Sequence, residues 1–211
     1  MTNKPLKKAI VLCDGRRPDK EVLKSYLERA GLFIAADGGG NVAREMGLKP
    51  DVVIGDLDSY QSSGEENIKI IHNPGQETND LEKALDFILK EEATDVVVFG
   101  AVGKRLDHTL KNLSVLSRFH SQFNSLVYKD RYGDIFLLPK NYTAKYPVDT
   151  TISLYPLSGR VTGITTRGLK YPLNNETLEN GVRDGSSNKT TEPEIEITYK
   201  TGELLMVVVS G

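Results

Sequence analysis

Residues 32–59 read LFIAADGGGNVAREMGLKPDVVIGDLDS, and this stretch decides the fold that the sequence predicts. It begins with an apolar run at 32–36 and ends just after a second apolar run at 52–54. Between them, residues 41–46 have helical character and stop at Gly47, a residue type that often ends a helix. Two strands joined by a helix run parallel, because the helix carries the chain back to the edge where it started. The stretch therefore predicts a strand–helix–strand unit of a parallel sheet.

The same alternation of short apolar runs and amphipathic segments continues on both sides of this unit. Further strands are predicted at residues 9–13, 68–71, 96–99 and 126–128, and longer helices at 21–30, 81–92 and 108–119. A parallel sheet covered by helices on both faces explains why the strands consist almost entirely of Val, Ile and other apolar residues. We therefore expect a mostly parallel, Rossmann-like α/β domain over residues 1–139.

The character of the sequence changes after about residue 139, where helical periodicity disappears. Short stretches rich in Thr, Tyr, Val and Ile are separated there by Gly, Pro and Asn, as in antiparallel β-proteins. These stretches are 151–155, 160–166, 194–199 and 204–209. Residues 200–203, KTGE, are typical of a hairpin turn between the last two stretches. We expect residues 140–211 to form a smaller all-β domain, a sandwich or a barrel.

The composition is that of a globular protein and argues against several kinds of partner. Hydrophobic residues make up 38% of the chain and charged residues 27%. A net charge of -2 argues against a nucleic-acid partner held by bulk positive charge. The one cysteine, Cys13, has no second thiol to pair with, and its apolar neighbours predict a buried strand residue. The N-terminal apolar run ends before Asp14, too short for a signal peptide or a membrane span, so we expect a cytoplasmic protein without a membrane partner.

Acidic residues follow four consecutive predicted strands, at the end where an α/β sheet binds its ligands. They are Asp37 after 32–36, Asp56 and Asp58 after 52–54, Asp80 after 68–71, and Asp107 after 96–99, beside Arg105 and His108. Carboxylate oxygens are the hard ligands that Mg²⁺ takes in proteins, where it completes its shell with water and substrate phosphates. The sequence therefore predicts a site for magnesium and a nucleoside triphosphate at this edge of the sheet.

The pattern GDLDS, residues 55–59, is the strongest of these signals. In an extended segment Asp56 and Asp58 project to the same side of the backbone, because they are two residues apart. Adjacent carboxylates repel each other unless a cation lies between them. The glycines at 38–40 allow a ligand to approach the backbone, and the first turn of the following helix offers N–H groups to an anion. We expect a nucleotide phosphate in that place.

Each aspartate also has a structural interpretation, because Asp is common in turns and at helix N-termini. Asp51 and Asp95 precede their strands, and we interpret them as structural residues. For Asp14 two interpretations stay open, a turn residue and a residue that contacts the nucleotide. Asp80 also suits the first turn of its helix, where a negative charge interacts favourably with the helix dipole. GAVGKR does not match the phosphate-binding loop GxxxxGK[ST], because a valine stands at the first glycine position and an arginine follows the lysine. A nucleotide must be bound in another way.

The motifs ADGG, GDLDS, ETNDLEKAL and GKRLDHTLKN, in this order and spacing, resemble the thiamine pyrophosphokinase family. RGLKYPL followed by DGSSN is similar to the thiamine-binding region of that family, so that the resemblance covers nearly the whole chain. It implies a nucleotide-binding α/β domain followed by a β-sandwich, and a homodimer with active sites at the subunit interface. It also implies that the terminal pyrophosphate of ATP is transferred to the hydroxyethyl oxygen of thiamine, with release of AMP.

The resemblance also implies roles for individual residues. The acidic magnesium site would consist of Asp37, Asp56, Asp58 and Asp80. The nucleotide would lie with Asp37, Gly38, Gly39, Arg105, Asp107 and His108. The catalytic groups would be Asp58, Asp80 and Arg105, with either Asp58 or Asp80 accepting the hydroxyl proton. Ser187 and Asn188 would contact thiamine across the dimer interface.

The sequence departs from the family pattern at three points. The motif KDxTD is QETND here, so that Gln76 replaces its lysine and Glu77 its first aspartate. Lys104 replaces the second glycine of GGRxDH and is a candidate for the missing charge. The chain has no tryptophan, so that any aromatic side chain on thiamine must be Tyr or Phe. Two other functions therefore stay open: a metal-dependent nucleotide phosphohydrolase and a non-catalytic sensor of thiamine or nucleotide.

Overall fold

The structure, a computed structural model, describes residues 8–62, 64 and 67–210. These residues form two compact units that divide between Arg131 and Tyr132. The described part of the first unit contains helices and strands, and that of the second contains strands and turns. Across the described residues, no helix is both long enough and apolar enough to span a membrane.

The described part of the first unit contains six strands and four α-helices, which alternate except that β4 follows β3 without a described helix between them. The strands are β1 (Lys8–Leu12), β2 (Leu32–Ala36), β3 (Val52–Gly55), β4 (Lys69–His72), β5 (Asp95–Phe99) and β6 (Ser125–Asp130). The helices are α1 (Lys20–Leu27), α2 (Gly39–Glu45), α3 (Asp80–Lys90) and α4 (Leu106–Phe119), and a short 3₁₀ turn follows at His120–Gln122. Neighbouring strands pair in the order β6-β5-β1-β2-β3-β4, and every pair is parallel. The predicted parallel sheet is confirmed.

The strand order reverses direction at β1, which lies between β5 and β2. The chain therefore winds one way from β1 to β4 and the other way from β5 to β6. In such a sheet a crevice opens beyond the carboxyl ends of the strands on either side of the reversal. The two loops there are joined through their backbones: the Cys13 N–H donates to Phe99 O (2.8 Å) and the Gly15 N–H to Gly100 O (2.9 Å).

The start of α3 explains why Asp80 is held next to the sheet. Asn79 and Glu82 form a capping box, in which the Glu82 N–H donates to Asn79 Oδ1 and the Asn79 N–H donates to Glu82 Oε2, both at 2.9 Å. This pair satisfies backbone donors that a helix otherwise leaves without partners at its first turn. Asp80 is therefore the first helical residue, one position earlier than the apolar spacing predicts.

The described part of the second unit consists of two antiparallel sheets of four strands each. Its strands are β7 (Gly133–Leu137), β8 (Asn141–Lys145), β9 (Thr151–Pro156), β10 (Arg160–Arg167), β11 (Glu176–Glu179), β12 (Gly185–Lys189), β13 (Glu194–Thr198) and β14 (Leu204–Val209). One sheet has the order β12-β9-β14-β7 and the other β11-β10-β13-β8. Their inner faces share one apolar core, which includes Leu154, Ile164, Ile197 and Met206. The predicted β-sandwich is confirmed.

The predicted hairpin at residues 200–203 is wrong. β13 pairs with β8 and β10, whereas β14 pairs with β7 and β9, so that the two strands belong to different sheets. The turn that connects them is instead hydrogen-bonded to β10. The Thr162 N–H donates to Thr201 O (3.2 Å), and the Lys200 N–H donates to Thr162 O (2.9 Å). A turn-forming sequence specifies that the chain reverses, but not which strands become hydrogen-bonded neighbours.

Candidate active site

A cavity of about 260 Å³ lies in the first unit at the carboxyl ends of its strands. The loops after β1, β2 and β5 and the first turns of α3 and α4 form its walls. The wall residues used below are Cys13, Asp14, Asp37, Gly38, Ser59, Asn79, Asp80, Lys104, Arg105, His108 and Asn112. This is the crevice that the reversal of strand order predicts.

Asp37, Asp56 and Asp58 converge into one group, which we call the aspartate triad. One carboxylate oxygen of each lies within 4.8 Å of the other two. Asp37 is buried at the end of β2, Asp56 is half-buried and Asp58 is exposed. Such a group of carboxylates is electrostatically unfavourable alone and favourable around a cation. The triad has the donor chemistry of a site for a hard divalent ion.

Asp37 is the buried member of the aspartate triad and has an unusual backbone. Its φ of 42° lies in the left-handed region, which side-chain-bearing residues seldom adopt. Its Oδ1 accepts a hydrogen bond from the Tyr60 N–H at 3.2 Å. Burial raises the pKa of this carboxyl, and the nearby charge of Asp80 raises it further. A bound cation would stabilise the ionised form of Asp37 directly.

Asp56 and Asp58 come together through a left-handed residue, not through an extended segment. Leu57, between them, has a φ of 62°, and the Asp58 N–H points back to Asp56 Oδ1 at 3.4 Å. The two carboxylates do lie close together, as expected. The extended backbone that the sequence predicted for residues 56–58 is wrong, because Leu57 is left-handed. A strained turn of this kind persists only where the surrounding structure enforces it, and it holds the two carboxylates in place before a ligand binds.

Asp80 lies against the aspartate triad and is held by two donors. Its Oδ1 accepts from the Asp56 N–H at 3.3 Å and from Lys83 Nζ at 3.0 Å. Gly55 makes this approach possible, because a Cβ there would lie 2.8 Å from Asp37 Cβ and 2.9 Å from Asp80 Oδ1. Asp80 is not one of the three carboxylates that meet within 4.8 Å. Sequence reasoning missed Lys83, although its position three residues after Asp80 in a helix was a signal for the pair.

The three glycines after Asp37 have different surroundings. Gly38 lies on the cavity wall, close to Asp14. A Cβ on Gly39 would lie 2.0 Å from Leu12 O, and one on Gly40 would lie 2.6 Å from the Tyr60 ring. Gly39 and Gly40 therefore have a packing reason to be glycine, because α2 lies directly against β1 and the loop after β3.

Charged residues from the loop before α4 and from its first turn also line the cavity. Arg105 and His108 line it, and Arg105 is paired with Asp107 through Nε (3.1 Å) and Nη2 (2.5 Å). The hydrogen bonds from Arg105 lower the pKa of Asp107 to about 2. Lys104 Nζ lies 2.5 Å from Asp14 Oδ1. The cavity is thus lined both by Asp37 of the triad and by the exposed cations Lys104 and Arg105, which are suited to phosphate.

Asparagines that sequence reasoning missed connect the two helices beside the cavity. Asn79 Nδ2 donates to Asn112 Oδ1 at 2.8 Å, and Asn112 Nδ2 donates to Ala101 O at 2.6 Å. The Tyr128 hydroxyl donates to Asn112 O at 2.8 Å. Because the asparagines come from different helices, only the folded chain brings them together. They fix the start of α3, and with it Asp80, relative to the loop after β5.

Cys13 is buried at the end of β1, as its apolar neighbours predict. Burial raises the pKa of the thiol to about 12, and the charges of Asp80 and Asp14 contribute in the same direction. The thiolate is the nucleophilic form of cysteine, so that a thiol held in its neutral form is a poor nucleophile. Cys13 belongs to the structure of the cavity floor.

The predicted thiamine residues lie in the second unit, on β12. The side chain of Asn188 is buried, and its amide bonds to the backbone of Tyr171: Nδ2 donates to Tyr171 O (2.8 Å) and Oδ1 accepts from the Tyr171 N–H (3.0 Å). Ser187 is exposed, and its N–H donates to Ser153 Oγ at 3.0 Å. Asn188 therefore fixes the backbone of Tyr171, a residue that is 60% exposed to solvent.

Two family models cover most of the chain. The model described as the catalytic domain of thiamin pyrophosphokinase matches residues 23–128, and that of its vitamin B1 binding domain matches residues 141–204. The chain belongs to the thiamine pyrophosphokinase family. Thiamine pyrophosphokinase 1 of rice (Oryza sativa subsp. japonica) is 31% identical to it, over 90% of this chain and 83% of the rice protein.

Solved structures of the thiamine pyrophosphokinase family share the fold. The crystal structure of thiamine pyrophosphokinase from Bacillus subtilis superposes with a TM-score of 0.84 at 24% identity, covering 97% of this chain and 99% of that one. The structure of yeast thiamin pyrophosphokinase superposes with a TM-score of 0.86 at 19% identity, covering 99% and 88%. The α/β domain followed by a β-sandwich is therefore confirmed.

Two departures from the thiamine pyrophosphokinase motifs have a structural outcome. Gln76, at the position of the motif lysine, donates from Nε2 to Asp56 Oδ2 at 3.1 Å, and this hydrogen bond is the main reason that the pKa of Asp56 is lowered. Lys104 pairs with Asp14, which lines the same cavity beside Gly38. The cation that contacts an aspartate of the predicted magnesium set is Lys83.

Proposed function

We propose that this member of the thiamine pyrophosphokinase family transfers the pyrophosphate group of ATP to thiamine, giving thiamine pyrophosphate and AMP, in a magnesium-dependent reaction. One observation carries the chemical part of this proposal. Asp37, Asp56 and Asp58 bring three carboxylate oxygens within 4.8 Å of one another, and Asp37 lines a cavity that Arg105 and His108 also line. Phosphoryl transfer depends mainly on positioning and on charge stabilisation, and this cavity contains groups for both.

The residues fit a magnesium ion by the chemistry of their donors. The aspartate triad offers only hard oxygen ligands, which Mg²⁺ prefers, and it leaves room for water and phosphate oxygens. Asp80, which contacts Asp56, completes the predicted set of metal residues. When bound, the ion supplies positive charge that stabilises the phosphates as negative charge develops on them.

In the proposed reaction the hydroxyethyl oxygen of thiamine forms a bond to the β-phosphorus of ATP. The bond from that phosphorus to the oxygen bridging the α-phosphate breaks, and AMP leaves with the electron pair on that oxygen. The hydroxyl proton passes to a carboxylate, Asp58 or Asp80. Asp58 is the more accessible of the two, since it is exposed and its side-chain partner is the Ser59 hydroxyl, whereas Asp80 Oδ1 is engaged by Lys83.

We place the nucleotide along the wall formed by Asp37, Gly38, Gly39, Arg105, Asp107 and His108. Arg105 is suited to a phosphate because its guanidinium is exposed and its carboxylate partner, Asp107, is exposed as well. A guanidinium binds phosphate oxygens in pairs, and it can exchange an exposed carboxylate for a phosphate at small cost. Gly38 keeps this wall free of side-chain atoms beside Asp14.

We assign residues 1–139 to a catalytic domain that binds the nucleotide and metal, and residues 140–211 to a domain that binds thiamine and forms a homodimer. Ser187 and Asn188 are the proposed thiamine residues, with the active sites at the subunit interface. The contacts of Asn188 support an indirect role for its amide, which holds Tyr171 in position. Tyr171 is then the aromatic residue that meets a thiamine ring. A cytoplasmic location stays a prediction of the sequence.

The reaction is tested by incubating the protein with ATP, Mg²⁺ and thiamine and identifying the products by chromatography. We expect AMP and thiamine pyrophosphate in equal amounts. Release of inorganic phosphate without thiamine would instead favour a nucleotide phosphohydrolase. Binding of either ligand without any product would favour a sensor. Omission of Mg²⁺, with EDTA added, is expected to stop the reaction.

Replacing Tyr171 with alanine is expected to raise the KM for thiamine by about tenfold, because stacking between a planar ring and an aromatic side chain contributes on this scale. The KM for ATP and the melting temperature should stay near those of the native protein, since the Tyr171 ring is exposed. Steady-state kinetics with each substrate varied in turn measures the effect. Tyr155→Ala removes another exposed tyrosine of the same unit and serves as the matched control. An unchanged thiamine KM in Tyr171→Ala would exclude the proposed contact.

A further inference from the structure

Lys83 is a buried cation next to the proposed metal site. Its side chain is 2% exposed, and its Nζ lies 3.0 Å from Asp80 Oδ1. The carboxylate it contacts is more accessible, with the Asp80 side chain 29% exposed. Transferring an ammonium group from water to the interior is costly even when it is paired. A buried lysine therefore calls for a reason beyond filling space.

The packing of α3 does not supply that reason. The helix is anchored to the first unit by the buried apolar residues Leu81, Ala84, Leu85 and Ile88. Its first turn is closed by the capping box of Asn79 and Glu82. An apolar side chain of similar length at position 83 would fill the same space without the desolvation of a charge. What the ammonium adds is a positive charge and a hydrogen bond to Asp80.

The hydrogen bonds of Asp80 show what this charge does. Its Oδ1 is shared by two donors, Lys83 Nζ and the Asp56 N–H. An oxygen that accepts from an ammonium at 3.0 Å is electrostatically a poor ligand for a divalent cation. The four aspartates carry four negative charges, and Lys83 reduces the net charge of the cluster to -3.

We propose that Lys83 is a positioning residue, whose ammonium holds Asp80 beside the aspartate triad and keeps it from binding the metal ion as an additional ligand. This inference rests on the proposed magnesium site. It divides the four predicted metal residues into three that bind the ion and one that is held by Lys83. Loss of Lys83 then frees Asp80 to join the ion, which strengthens metal binding while it disturbs the geometry needed for turnover.

The test compares metal binding with turnover in Lys83→Met, which keeps the length of the side chain and removes its charge. Mn²⁺ binding to the nucleotide-free protein is measured by electron paramagnetic resonance, and kcat and KM for ATP are measured with Mg²⁺. We expect Mn²⁺ to bind about tenfold more tightly, because one positive charge has been removed beside the site. We expect kcat to fall about hundredfold, because the site no longer has the geometry that the reaction needs.

The double variant Asp80→Asn with Lys83→Met separates this role from direct ligation by Asp80. It removes one negative and one positive charge, so that the net charge of the cluster returns to -3. We expect its Mn²⁺ affinity to return to within about twofold of the native protein, because the cluster again has the native net charge and the three ligands of the triad are unchanged. An affinity well below native in the double variant would show that Asp80 is itself a metal ligand, and would overturn the proposal.

Lys111→Met is the matched control, because Lys111 pairs with the buried Glu82 at 2.8 Å, outside the cavity wall. It should leave Mn²⁺ affinity and kcat near native. Unchanged or weaker Mn²⁺ binding in Lys83→Met overturns the proposal. If Lys83→Met does not fold, Lys83→Leu, which also removes both the charge and the hydrogen bond to Asp80, carries the same expectation. A native protein that binds Mn²⁺ but makes no thiamine pyrophosphate would count against the proposed function, not against the role of Lys83.

Discussion

Replacing Asp58 with asparagine is expected to lower kcat for thiamine pyrophosphate formation by about 10³-fold, the scale of effect seen when one preorganised electrostatic group is lost from an active site. The substitution keeps the shape of the side chain and removes its charge. Asp58 is exposed, and the Ser59 hydroxyl that donates to its Oδ1 can be satisfied by an amide oxygen or by water. The fold should therefore be unchanged. Turnover is measured by the production of AMP in the presence of ATP, Mg²⁺ and thiamine.

Asp86→Asn is the matched control for Asp58→Asn, because it removes the same charge from an exposed position on α3. It should leave turnover near native. A weaker binding of Mn²⁺ to Asp58→Asn, with an unchanged melting temperature, would connect the loss of activity to the metal. Near-native turnover in Asp58→Asn would rule out the aspartate triad as the metal site.

Replacing Gly39 with alanine is expected to lower the free energy of unfolding of the first unit by about 3 kcal/mol, the upper range for overpacking a well-packed interior. The added Cβ would lie 2.0 Å from Leu12 O and 2.8 Å from Leu12 C. Both are backbone atoms of β1, in the middle of the parallel sheet, so that neither can move like the end of a flexible side chain. Helix α2 must shift away from β1 instead. Urea unfolding followed by the helical circular-dichroism signal reports on this unit, which contains the described α-helices.

Gly75→Ala is the control for Gly39→Ala, because Gly75 lies in an exposed loop where an added Cβ meets only Asn73 Oδ1 at 3.3 Å. Its free energy of unfolding should stay within about 0.5 kcal/mol of native. Native stability of Gly39→Ala, together with a higher KM for ATP, would contradict the packing interpretation. That result would show that Gly39 acts through the nucleotide contact proposed for it and not through packing against β1.

The strands and helices of the first unit were predictable because the spacing of apolar residues within each segment indicates its secondary structure. The runs at β2 and β3, and that of β1 after the exposed Lys8, are apolar and buried, as strands covered on both faces must be. The second unit was harder. β8 and β12, NYTAK and GSSNK, contain few apolar residues and lie at sheet edges, so that their sequences carry a weak strand signal. The neighbours of β14 depend on contacts far along the chain, which turn residues do not encode.

In the candidate site too, features that depend on neighbouring residues were predictable, and features that depend on residues far apart in the chain were not. That Asp37, Asp56 and Asp58 meet follows from the rule that parallel strands end at one edge of a sheet. How Asp56 and Asp58 meet does not follow from their spacing, because it depends on the left-handed backbone of Leu57. The burial of Lys83 and the link from Asn79 to Asn112 depend on how α3 and α4 pack, and a single helix does not reveal its neighbours.

The sequence by itself determined the parallel sheet, the β-sandwich, the family and the acidic edge of the cavity, because periodicity and ordered motifs are properties of neighbouring residues. Only the tertiary structure decided which polar or charged group contacts each aspartate at that edge. It placed Lys83 on Asp80, Gln76 on Asp56 and Lys104 on Asp14, three partnerships between charged or polar groups. The electrostatic energy of a group depends on distance and burial, and for groups far apart in the chain these quantities exist only once it has folded.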